Sequence, residues 1–345
     1  MVGQLTRSIK PLLRNYSLSQ TQLSESMNKM IYPQLLPFVI AFSLTFPLAG
    51  HAAPEKLKIV FSVPNMAFPW AAFTTKIAQA TGKKLNADVL LQDGQGSSST
   101  QSSDLRNAVN QGVDGIVIAP TDVKALVPAV NDVIRAKIPI VTIDRYVTGT
   151  QQPVPHFGAD NVAGGVEQAK FVVEHFPAGA KIIMLTGEPG SSPAIDRAAG
   201  VHQTLKAAGD KYKIVADQTA NFARAQGFTV TQNILTALGN PPDAIIASND
   251  DMALGAVKAL AQAGIPKGKV MVLGFDALPE GLAAVRDGDM AATVEQLPAE
   301  QVETSMNAVV DFIRNKKPLE SKKLTPVLIT KHNLNQAERY NEVKM

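Results

Sequence analysis

Residues 57–63 read LKIVFSV, and 64–70 read PNMAFPW. The first run has strand length and is apolar nearly throughout rather than alternating. That is the pattern of a parallel strand covered on both faces. Outward from it the theme repeats. Strand-like runs at Ala87–Gln92, Gly115–Ala119 and Ile138–Asp144 alternate with helical patterns at Trp70–Thr81, Ser103–Gln111 and Ala125–Ala136. Further along, runs at Ala180–Thr186, Lys213–Ala216, Asp243–Ser248, Val270–Phe275 and Met290–Val294 alternate with helices at Asn161–His175, Ala194–Ala208, Ala225–Ala237, Asp251–Ala263 and Pro279–Asp287. Strand–helix–strand order predicts doubly wound parallel sheets, and two α/β units of ordinary domain size fit the length. Asp160 is placed to cap its helix, and Gly209 and Gly264 to follow theirs. The Ser-rich stretch Gly94–Ser103 reads as a surface loop.

The 345 residues carry a net charge of +3, and cysteine is absent. Disulfides, Cys-ligated metal and thiol nucleophiles are therefore excluded. The charge is not evenly spread. Arg7, Lys10, Arg14 and Lys29 precede an apolar run, Leu35 to Leu48, that ends in AGHAAPE at 49–55. This is the order of a secretory signal, with cleavage expected after Ala52 and Met27 or Met30 as alternative starts. Without residues 1–52 the chain has 29 basic and 29 acidic residues. A nucleic-acid partner loses its support, because backbone binding needs clustered Lys and Arg.

Ligands of parallel α/β sheets bind beyond the carboxyl ends of the strands. Those ends carry Asn65, Phe68 and Trp70; Asp144 and Arg145; Thr186 to Ser192, with Asp196 and Arg197 on the next helix; Asn249, Asp250 and Asp251; Asp276; and Gln296. Phe222 lies in a loop leading to a helix. Carboxylates accept from hydroxyls, Arg only donates, and amides do both. A sugar offers adjacent hydroxyls to such groups and a C–H face to a ring. The convergence of six strand ends carries this reading.

Several segments resemble the ribose-binding branch of periplasmic sugar-binding proteins that feed ABC importers. They are IVTIDR at 140–145, DNVAGG at 160–165, NDDMALGA at 249–256, GFD at 274–276 and QLP at 296–298. The likeness covers residues 57 to about 332. It implies a type I periplasmic binding fold: two doubly wound parallel-sheet domains joined by a three-segment hinge. The lobes would be 53–158 with 298–325 and 159–297 with 326–338, followed by a tail at 339–345. The resemblance places Asp144, Arg145, Arg197, Phe222, Asn249, Asp276 and Gln296 around a monosaccharide. The carboxylates would accept hydroxyls, the arginines would clamp, and Phe222 would stack. The segment after the first strand departs from the family pattern. It is one residue longer, Trp70 stands for one stacking aromatic, and Asn65 and Phe68 complete the expected set. The implied partners are a monosaccharide, a membrane ABC permease and a chemoreceptor, with the protein acting as a monomer in the periplasm.

Other classes find less support. No G-x-S-x-G elbow, phosphate loop or dinucleotide fingerprint occurs, so no cofactor is expected. The five His show no metal spacing. Asp250–Asp251 reads as helix-start acids, and Asp287–Gly288–Asp289 as a turn. A secreted glycosidase would need paired carboxylates in a catalytic role. A sugar-responsive repressor would need a helix-turn-helix where the export signal stands. A periplasmic sensor subunit would share the same fold and site.

Overall fold

Among the described residues five helices open with proline in their first turn, at Pro69, Pro128, Pro193, Pro279 and Pro298. Proline fixes φ for the helix and gives up an N–H that has no partner there anyway. The computed structural model describes residues 55–343. The expected signal segment lies outside those residues.

Two six-stranded sheets organise the described residues. The first contains β1 (Leu57–Val63), β2 (Ala87–Asp93), β3 (Gly115–Ile118), β4 (Ile140–Ile143), β5 (His156–Ala159) and β11 (Lys322–Leu324). The second contains β6 (Ala180–Thr186), β7 (Tyr212–Thr219), β8 (Ala244–Ala247), β9 (Met271–Leu273), β10 (Ala292–Glu295) and β12 (Val327–Thr330). Their orders are 11-5-4-3-1-2 and 12-10-9-8-6-7, the same winding used twice. Every pairing is parallel except β10 with β12. The strand and helix alternation read from sequence is therefore present, in two sheets of parallel-dominated α/β type.

Helices cover both faces, and the period-2 geometry of the strands divides the side chains between them. Along β1, Ile59, Phe61 and Val63 pack with α1 (Pro69–Lys84) and α9 (Pro298–Asn315). Val60 faces α2 (Ser98–Asn110) and α3 (Val127–Arg135). Along β6, Ile183 and Leu185 face α6 (Arg224–Leu238), α7 (Asp250–Gln262) and α8 (Pro279–Asp287). Ile182 and Met184 face α4 (Asn161–His175) and α5 (Ser192–Ala208). Asp160 caps α4 through the Ala163 N–H, 3.1 Å away.

The Ser-rich stretch departs from expectation. It is a loop only as far as Ser97, and α2 begins at Ser98. Ser97 Oγ accepts the Thr100 N–H and supplies the cap. Gln101 then ties the first turns down: its amide donates to Ser62 Oγ and the Ala119 carbonyl and accepts the Thr121 N–H. These bonds outweigh the weak helix propensity of serine. Elements β5, β11, β12 and α9 were not read from the sequence. Through them the chain leaves the first sheet after β5, returns after β10 and leaves again after β11.

Candidate functional site

The carboxyl ends of both sheets open on one narrow cavity. Its walls include Phe68, Trp70, Asp144, Arg145, Arg197, Phe222, Asn249, Asp276 and Gln296, nine of the ten residues expected from sequence. Asn65 is not brought there. Its Oδ1 accepts the Ala67 N–H at 2.9 Å and closes the turn into α1. Asp251, Pro64, Pro69, Pro193 and Leu278 also line the cavity and were missed. Pro69 and Pro193 had a signal, since a helix-opening proline sits where parallel strands end. Asp251 stands at a strand end in the sequence, but its place at a helix start already accounts for it through the dipole.

Local geometry fixes each polar group. Arg197 lies on α5, which approaches α4 closely because a Cβ at Gly165 would strike the Arg197 carbonyl. Its Nε donates to Asn161 Oδ1 at 2.8 Å, and its Nη1 to the Ser248 carbonyl at 2.6 Å and Asp276 Oδ1 at 3.4 Å. The guanidinium stacks 3.6 Å from the Phe275 ring centroid. Arg145 lies 5.6 Å from the Phe222 centroid and 5.9 Å from that of Phe68. Its Nη1 donates to Glu188 Oε2 at 2.8 Å. Asn249 Oδ1 caps α7 through Met252 N–H, and its Nδ2 donates to the Phe222 carbonyl at 3.1 Å. Among the described residues one amide hydrogen of Asn249 has no acceptor. Gln296 Nε2 donates to Asp276 Oδ1 at 2.6 Å.

Three carboxylates keep acceptor capacity. Among the described residues no donor bonds to the side chain of Asp144, to Asp276 Oδ2 or to Asp251 Oδ2. Burial pushes Asp276 up to about 7, with Asp144 and Asp251 adding to it and Arg197 and Gln296 opposing. Burial also raises Asp144 against the pull of Arg145 and Arg197. The Trp70 indole N–H is buried without an acceptor among the described residues. Phe222 reaches its place because Gly187 has no Cβ to meet its ring.

On one side the two halves are fastened by a seam. Val123 N–H donates to the Gly190 carbonyl at 3.0 Å and Tyr146 N–H to Ser192 Oγ at 3.0 Å. Tyr146 Oη donates to Asp196 Oδ1 at 2.9 Å, and burial with that contact pushes the phenol up to about 12. The Arg145–Glu188 pair joins the halves beside the cavity.

An aromatic-walled cavity with fixed donors and free carboxylate oxygens is suited to an uncharged, polyhydroxylated ring. Known proteins agree. The family model described as the periplasmic binding protein domain matches residues 59–317. A ribose import binding protein of Salmonella typhimurium is 37% identical over 268 residues, covering 77% of this chain and 87% of that protein. The solved Caulobacter myo-inositol binding protein, bound to myo-inositol, superimposes with a TM-score of 0.82 at 44% identity, covering 84% of this chain and 98% of that one. An ABC transporter solute binding protein from Bacillus halodurans C-125, with bound myo-inositol, follows with a TM-score of 0.78 at 28% identity, covering 83% and 98%. By the extent of the match and this level of identity, the chain belongs to the periplasmic binding protein family, in its ribose-binding-like, sugar-binding branch.

Proposed function

We propose that the chain captures a six-membered polyhydroxylated ring between its two lobes and delivers it to an ABC importer. Myo-inositol is the first candidate, and monosaccharides are the wider class. The observation that carries this is the convergence of two buried arginines and three under-satisfied carboxylates between Phe68, Trp70 and Phe222. Hydroxyls can supply the donors that Asp144, Asp251 and Asp276 lack, while the arginines donate to hydroxyl oxygens. The rings cover the C–H faces. The likeness to a myo-inositol binding protein at 44% identity supports the cyclitol over the pentose.

The three chain crossings, near residues 159, 296 and 325, serve as the hinge. Ligand bridging both lobes shifts the population toward the closed form, which the permease reads. We place the protein in the periplasm as a monomer, exported by the segment 1–52. A chemoreceptor is a further reader of the same closed surface. The reading assigns no reaction to the site.

A thermal-shift screen of pentoses, hexoses, furanose forms and inositols tests the proposal. A true ligand at 100 times its dissociation constant adds about 2.7 kcal/mol of stability. Silence with every carbohydrate and cyclitol, with a shift from another metabolite, would sink it.

A further inference from the structure

Two consecutive aspartates open α7, and their side chains are used differently. Asp250 is bolted inside: Thr293 Oγ1 donates to its Oδ1 at 2.7 Å and Leu278 N–H to its Oδ2 at 2.8 Å. Both oxygens are thus spent inside the fold, one on β10 and the other on the β9–α8 loop. Asp251 lines the cavity itself. Arg224 approaches it from the outer side, and both contacts fall on one oxygen: Nε at 2.9 Å and Nη2 at 2.7 Å, each to Oδ1. Arg224 is anchored in turn by Glu280. Oδ2 receives no donor among the described residues. An ion pair serving only the fold has no need of a second oxygen held free at a ligand cavity.

We propose that Asp251 is a further ligand-contacting residue and that it selects among polyols. Resting on the function proposed above, it adds one acceptor to those of Asp144 and Asp276. Myo-inositol carries a hydroxyl on every ring carbon, whereas a pentopyranose has a ring oxygen and an unsubstituted CH2 in the ring and so presents no donor at those positions. Leaving a buried acceptor unmet costs about tenfold or more in affinity. Arg224 holds Oδ1 from the outer side and is itself anchored by Glu280, so the acceptor that tells polyols apart belongs to Asp251 and not to its outer partners.

Calorimetric titration of the mature chain with myo-inositol and with D-ribose tests this, using Asp251→Asn and Arg224→Ala beside the parent. The expected result is a loss of about tenfold or more for myo-inositol in D251N, with ribose changed less than threefold. R224A should keep the order of preference, since it leaves the carboxylate in place. Equal losses for both ligands in D251N would reduce Asp251 to a structural partner of Arg224. Unchanged binding, or a parent that prefers ribose, would overturn the selection outright. A parent that binds neither probe would instead overturn the function proposed for the whole site. Should D251N fail to fold, Asp251→Ser is read by the same criteria.

Discussion

Asp144, Phe222 and Asp276 hold positive φ angles of 60°, 56° and 104°. Side chains with a Cβ disfavour that region, and its concentration at a cavity is a mark of positioning for function. At Asp276 the strained backbone, with its N–H held by the Val294 carbonyl at 2.7 Å, points a buried carboxyl at Arg197 and Gln296. The pKa near 7 has a consequence for stability. A carboxyl raised on folding binds its proton more tightly in the native state than in the unfolded chain. Its contribution is full below the ordinary carboxylate range and is lost as pH rises through about 7. Glu295, raised to about 7 chiefly by burial, acts in the same direction. The melting temperature of the ligand-free protein should therefore fall between pH 5 and pH 8, and Asp276→Asn should flatten that slope while weakening ligand binding at least tenfold. A variant with the parent's slope would show that Asp276 does not carry the proton. The sequence revealed this residue because polar groups at the ends of buried strands have few places to point. It hid Asp251, because a carboxylate in a first helical turn has an adequate explanation in the dipole.

The elements that hold these residues were legible where apolar length or capping marked them, and illegible where neither did. α4 and α8 occupy the ranges that their sequence patterns predicted, and α4 has the Asp160 cap that its sequence announces. β5, β11 and β12 span four, three and four residues at the chain crossings, too short for any periodicity to show. The stretch leading to α1 misleads in another way: Asn65 is polar and lies at a strand end, but its short side chain is consumed by its own turn. Between β6 and α5 the decisive position is Gly187, whose missing side chain makes room for the Phe222 ring. Gly187→Ala should displace that ring and disturb the Arg145 and Arg197 guanidinium groups lying near it. Overpacking of this kind costs about 1–3 kcal/mol. Titration calorimetry should show at least tenfold weaker ligand binding together with a lower melting temperature. Parent-like affinity in a folded G187A protein would take Phe222 out of the ligand's stacking wall.

At the scale of the described chain, two sheets of the same winding meet at their carboxyl ends, so the side chains that line the cavity come from strand ends, the loops after them and the first two turns of helices. The seam of Val123–Gly190, Tyr146–Ser192 and Tyr146–Asp196 adds contacts that a ligand does not have to supply. Such bonds exist only while the lobes are together, so they set how much of the closed form is present before ligand arrives. Apparent affinity scales with that fraction. Tyr146→Phe removes one hydrogen bond to a carboxylate at the seam and touches nothing in the cavity wall. Hydrogen bonds to charged groups contribute about 1.5–3 kcal/mol net, and partial exposure brings this one to the bottom of that range or below it. The variant should bind ligand about two- to tenfold more weakly, and small-angle scattering of the ligand-free protein should show a larger open fraction. Its order of preference among polyols should not change, because no ligand contact has been altered. An unchanged dissociation constant with unchanged scattering would show that the lobes are held by the ligand and the Arg145–Glu188 pair, and that the Tyr146 seam forms only after the decision to close has been made.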